Sequence, residues 1–113
     1  MVKQGDIILV EMGPSLGHEQ QGRRPVMVVS STAFSRFTKG MAWVVPISSK
    51  MKEFPLHVAL PATLQTKGEV LCQQLKALDL EARPFTHVER VPIDILHQVL
   101  GIVGLIVQEE KKR

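Results

Sequence analysis

Gly17-His18-Glu19-Gln20-Gln21-Gly22-Arg23-Arg24-Pro25 runs straight into the β-branched stretch Val26 to Ser31 and is the densest polar cluster in the chain. It gathers an imidazole, a carboxylate, two amides and two guanidinium groups just ahead of a strand. Loops held by a rigid scaffold are where binding and catalytic groups concentrate. The plainer alternative is a solvated β-loop whose charges serve solubility. The decision between them comes from what lies on either side.

Upstream, Asp6 to Glu11 carries Ile7, Ile8, Leu9 and Val10, a short apolar run ending before Gly13-Pro14. Downstream, Pro25 opens the Val26 to Ser31 run, and Ala42 to Ser49 forms a third, in which Pro46 argues for an edge or a bulge. Leu56-His57-Val58-Ala59-Leu60 alternates as a half-buried strand does. Glu69 to Gln73 follows Gly68, and Phe85 to Val91 is a weaker last strand. Strands this short, with no helices between them, predict a small antiparallel barrel or curled sheet.

The carboxyl-terminal segment has a different period. Pro92 suits the first turn of a helix and Asp94 its positive end. Polar or glycine positions Asp94, His97, Gln98, Gly101, Gly104 and Gln108 form one narrow stripe, and apolar residues fill the rest. A helix on a domain surface needs an apolar face only about 100° wide, and this one is wider. The surplus is covered by a second subunit or by deep burial within a monomer.

With 113 residues, 44% hydrophobic and 22% charged, the composition suits one folded domain over residues 1–113. Cys72 is the single cysteine and has no internal disulfide partner, which points to a reduced, cytoplasmic setting. No apolar run approaches the roughly 20 residues of a membrane span, and Met1 to Asp6 lacks a secretory layout. The net charge of +3 favours polyanions only weakly. His57, His87 and His97 have no ligand spacing with Cys72, so neither a metal site nor a cofactor is expected.

The quoted loop, Gly-His-Glu-Gln-Gln-Gly-x-Arg-Pro ahead of a β-branched strand, resembles the signature loop of the MazF/PemK (Kid/ChpB-like) toxin family. Further matches follow in order along nearly the whole chain. Gly5-Asp6-Ile7 resembles the family's opening, and Val45-Pro46-Ile47-Ser48-Ser49 its second short motif. Gln73 to Asp79 resembles a third segment. Glu89-Arg90-Val91-Pro92, leading into a helix with Val99-Leu100-Gly101, is similar to the PemK branch.

The resemblance implies an SH3-like β-barrel with a carboxyl-terminal helix, assembled as a homodimer. It also implies a type II toxin that cuts single-stranded RNA without a metal and is restrained by an antitoxin with an acidic segment. In that reaction the ribose 2′-hydroxyl attacks phosphorus, leaving a 2′,3′-cyclic phosphate and a 5′-hydroxyl. Such chemistry needs a base, an acid and positive charge at the phosphorane.

Matched residue by residue, Glu19 is the base candidate and Arg24 the charge that stabilises the transition state. An arginine pKa of about 12 or more makes Arg24 a poor proton donor. His18 is either the acid or a phosphate contact. Ser48 either donates to a phosphate oxygen or satisfies the backbone at a strand end. Gln20, Arg23, Lys50 and Lys52 are expected to contact RNA. So is Gln73, with Gln74 taking its place if Gln73 points inward. The PemK branch carries an arginine and an aspartate at the positions of Leu71 and Gln73, so proton transfer here rests on the first loop. Among aromatics, Phe37 and Phe54 are candidate stacking surfaces and Trp43 is expected in the core.

Two other readings belong to different classes. Gyrase-targeting CcdB toxins share this fold without hydrolysis, but lack the Glu19/Arg24 loop. An inactive, antitoxin-binding member would fit Leu71 and Gln73.

Overall fold

A computed structural model describes residues 1–11 and 22–111. Within them lie β1 (Asp6–Glu11), β2 (Arg23–Val28), α1 (Thr32–Phe37), β3 (Met41–Ser48), β4 (His57–Ala59), β5 (Glu69–Leu71), β6 (Lys76–Asp79), β7 (Phe85–Arg90) and α2 (Ile93–Ile106). The strands pair antiparallel in the order β4-β5-β3-β2-β1-β7, with β6 also on β3. Among the described residues the path stays open, a curled sheet of SH3-like kind and not a closed barrel.

β1, β2 and β3 each carry adjacent buried apolar residues, Ile7-Ile8, Val26-Met27-Val28 and Val44-Val45, because both faces are covered at those points. Ile7, Met27, Val45 and Ile47 point into one cluster, which α2 covers through Ile95 and Val99. Ile8, Val10, Val26, Val28, Ala42 and Val44 point into the other, closed by Val2, Leu78 and Leu80. A register shift between Ile7 and Ile8 in the β1–β7 pairing marks a bulge, the kind of irregularity that bends a sheet over its own face.

β3 organises the fold because it changes partner midway. β6 pairs Met41 to Val44, and β5 pairs Ile47 and Ser48. Pro46 falls in the gap between them while facing Val26 on β2. In place of the expected edge or bulge, Pro46 sits at a partner switch within a central strand, a place where the missing N–H is tolerated. Gly68 permits the switch. Its φ is +121°, and a Cβ there would overlap the carbonyl oxygen of Ser48.

Three expectations are corrected. A short helix, α1, does stand between β2 and β3, capped by the Ser31 hydroxyl, which accepts from Phe34 N at 3.1 Å. β6 is a further strand with no signal of its own, because Lys76-Ala77-Leu78-Asp79 has one buried residue and is held by pairing. Trp43 is not core but 45% exposed, meeting Phe34 edge to face at 5.7 Å. As predicted, α2 has far more apolar surface than the domain covers: Ile93, Leu105, Ile106 and Val107 are exposed.

Candidate RNA-cleavage site

Arg23 and Arg24 are neighbours on β2, so the strand's two-residue period sends them to opposite faces. Arg23 donates from its guanidinium to the Thr86 hydroxyl on β7. Arg24 instead lines a cleft of about 390 Å³ with Pro46, Ser48, Lys50 and Lys67. A second cleft of about 380 Å³ adjoins it, lined by Ser48, Lys50, Lys52, Phe54, His57, Leu71, Gln73 and Gln74. Ser48 and Lys50 line both, so the two clefts share a wall at the corner where β3 meets β5 and together make up the candidate groove.

This groove collects Arg24, Ser48, Lys50, Lys52, Gln73 and Gln74 from the sequence-derived candidates. Arg23 lies outside both linings. His18, Glu19 and Gln20 fall in the segment 12–21, outside the described residues, which leads through Gly22 into Arg23 and Arg24. Phe54, 48% exposed, is on the groove wall. Phe37 closes α1, which joins the far ends of β2 and β3, so it and nearby Arg36 and Lys39 stand away from the groove.

The Ser48 hydroxyl oxygen accepts from Lys50 N at 3.1 Å. That contact satisfies the backbone at the strand end, yet leaves the O–H as a donor toward the groove. Lys67 Nζ is tied to the carbonyls of Ala62 and Leu64 at 2.8 and 2.7 Å, so its charge is anchored beside the first cleft.

Sequence reasoning misses one pair, His57 and Glu69. Glu69 is 2% exposed, and its carboxylate accepts from Lys52 N, Glu53 N and His57 Nδ1, each at 3.0 Å. The Lys52 N–H holds this carboxyl below its ordinary value, helped by Glu53 and His57 against the opposing effect of burial. Glu53 sits at φ 53°, a left-handed conformation that the Glu69 contact helps to hold. His57 Nε2 lies 3.1 Å from Gln73 Nε2, and its ring meets Phe54 edge to face. One signal is present in the sequence: Glu69 is a lone acid within a strand-like apolar run after Gly68, and a buried acid requires partners.

Among the described residues no cluster of three His, Cys, Asp or Glu side chains is placed to hold a metal. Burial pushes the Cys72 thiol up to about 11, which suits a packing residue and not a nucleophile. Among the described residues no helix is long and apolar enough to cross a membrane.

Comparison with known proteins gives one family throughout. Residues 3–107 match the model of the PemK-like, MazF-like toxins of type II toxin–antitoxin systems. The chain is 38% identical to endoribonuclease PemK of Escherichia coli, covering 93% of this chain and 81% of that protein. It is 33% identical to endoribonuclease toxin ChpB of Escherichia coli K12, covering 94% of each. In three dimensions it overlays a MazE–MazF crystal structure from Deinococcus radiodurans with a TM-score of 0.86 at 33% identity, covering 96% of this chain and 97% of that one. With that match along residues 3–107 and a sheet that overlays a solved relative, the chain belongs to the PemK-like, MazF-like toxin family.

Proposed function

We propose that this protein is the toxin of a type II toxin–antitoxin pair and a sequence-specific endoribonuclease acting on single-stranded RNA. The observation that carries this reading is the convergence of Arg24, Ser48, Lys50, Lys52, Gln73 and Gln74 on one groove. Cationic and donor groups along a groove track a phosphate backbone, and Phe54 offers a surface for a base. Endoribonuclease activity of the relatives PemK and ChpB supports the same reading.

In the proposed step Glu19 takes the proton of a ribose 2′-hydroxyl, whose oxygen then bonds to the adjacent phosphorus. The phosphorus–5′-oxygen bond breaks, and the departing oxygen receives a proton, with His18 the candidate donor. Arg24 places a planar fork of donors on the phosphate oxygens as negative charge builds. Ser48 adds a hydroxyl donor there. Leu71 and Gln73 take no part in proton transfer, because neither titrates. The products are a 2′,3′-cyclic phosphate and a 5′-hydroxyl, with no metal or other cofactor required.

Partnership with an antitoxin is supported by the similarity to a toxin solved with MazE. An acidic antitoxin segment would occupy this same groove as an RNA mimic. The exposed apolar face of α2 supports a homodimer, and the reduced Cys72 fits a cytoplasmic site of action. The reading is tested by incubating a long single-stranded RNA with purified protein in EDTA and mapping the ends. Discrete cuts leaving 5′-hydroxyls are expected. A folded protein that cuts nothing would return weight to a non-hydrolytic binder.

A further inference from the structure

Glu69 lies behind the groove wall, not on it, yet it reaches the groove through two hydrogen bonds. Its acceptor oxygens face Nδ1 of His57, whose side chain is 7% exposed, so the neutral ring carries its hydrogen on Nδ1. Nε2 then keeps a lone pair. That lone pair meets the amide nitrogen of Gln73 at 3.1 Å. A planar amide holds its nitrogen and oxygen on opposite arms, so the carbonyl oxygen of Gln73 is the arm turned away from His57. Gln73 is exposed and lines the groove.

An exposed glutamine without such a neighbour turns over freely and offers either end to a ligand. Here the buried pair removes that choice. We propose that Glu69 and His57 are positioning residues for base selection, fixing Gln73 so that it presents an acceptor to the base beside it. Set against the purine C6 or pyrimidine C4 position, this acceptor pairs with the amino group of adenine or cytosine and opposes the carbonyl of guanine or uracil. A matched hydrogen bond against a mismatched one discriminates on the order of tenfold. The proposal deepens the ribonuclease reading and rests on it. It also gives Gln73 recognition work at a position where the PemK branch carries an acid.

The decisive variant is Glu69→Gln. With its oxygen kept on Glu53 N, its amide nitrogen takes the place of the oxygen shared by Lys52 N and His57 Nδ1. That nitrogen gives up the Lys52 contact, donates to Nδ1 and moves the ring hydrogen to Nε2. That hydrogen then takes the Gln73 carbonyl as acceptor, and the Gln73 amide turns its N–H groups to the base. Cleavage sites of Glu69→Gln, mapped on a long RNA, are expected to shift at one position from adenine or cytosine toward guanine or uracil. Gln73→Glu, which can only accept, is expected to keep the wild-type preference.

Base preferences identical to wild type in a Glu69→Gln protein whose His57 hydrogen ¹⁵N NMR places on Nε2 would overturn the proposal, as would loss of the preference in Gln73→Glu. Should Glu69→Gln not fold, ¹⁵N NMR of wild-type protein in mildly alkaline solution decides directly. Hydrogen on Nδ1 of His57 supports the device, and hydrogen on Nε2 overturns it. Wild-type protein that cuts no RNA would remove the ribonuclease reading itself, whereas the tautomer would still report on Gln73.

Discussion

At the corner where β3 meets β5, polar side chains are fixed by other parts of the same chain. Lys50 N occupies the Ser48 oxygen, Glu69 holds the Lys52–Glu53 backbone, and His57 holds Gln73. Along the outer face of α2 the opposite holds: Leu105 and Val107 are 69% and 70% exposed, with Ile93 and Ile106 beside them. One region is held by contacts within the chain, and the other leaves large apolar side chains exposed. Preorganised polar groups act on a substrate without rearranging. An apolar face gains about 1.5–3 kcal/mol for each large side chain that a partner buries. On the proposed reading, chemistry belongs to the first region and assembly to the second.

The contrast can be broken most visibly at Arg24. Arg24→Ala should lower kcat/KM on RNA by about 10²–10³, the usual cost of removing a donor from transition-state charge. Its melting temperature should stay within a degree or two of wild type, because the side chain is exposed. Next comes Gly68→Ala, which combines a left-handed φ with overlap on the Ser48 carbonyl. It should cost about 2 kcal/mol or more in urea unfolding and displace Ser48, so activity falls with stability.

On the other region, Leu105→Glu should leave a folded chain but shift it toward monomer in sedimentation at micromolar concentration. An unchanged sedimentation profile would assign the α2 face to something other than self-association.

Smaller effects follow from two carboxyls held below their ordinary value of 4.5. For Glu69 the Lys52 N–H leads. For Glu89 burial pushes upward, and is outweighed by hydrogen bonds from Thr66 and Gln65 with help from Lys67. With folded values below unfolded ones, the unfolded chain binds more protons as the pH drops. Their stabilisation is thus complete above about 4.5 and is lost as pH falls through the folded values. Urea midpoints should decline below that pH, and Glu69→Gln should flatten the decline. Smallest of all, Cys72 at about 11 should resist thiol reagents near pH 8 in the folded protein and react only on unfolding.

Much of this architecture is legible in the amino-acid sequence. The bounds of β1 and the start of α2 follow from an apolar run and a proline, and the surplus apolar face of α2 is plain from its polar stripe. What stays hidden depends on distant partners. β6 is a strand because β3 offers it an edge, not because of its residues. α1 spans six residues, too few for a periodic pattern to declare itself. Trp43 has the size of a core residue, yet β3 turns it outward between the buried Ala42 and Val44. His57 and Glu69 are separated by a loop, and only the β4–β5 pairing makes them neighbours.

The most direct test of the account compares Arg24→Ala with Arg23→Ala on one RNA substrate. These residues adjoin in sequence and share charge and exposure, but the structure turns one into the groove and the other to Thr86. The account predicts that Arg24→Ala loses about 10²–10³ in kcat/KM while Arg23→Ala loses less than about threefold. Equal losses in both, or a larger loss at Arg23, would contradict the placement of the cleavage site at the β3–β5 corner.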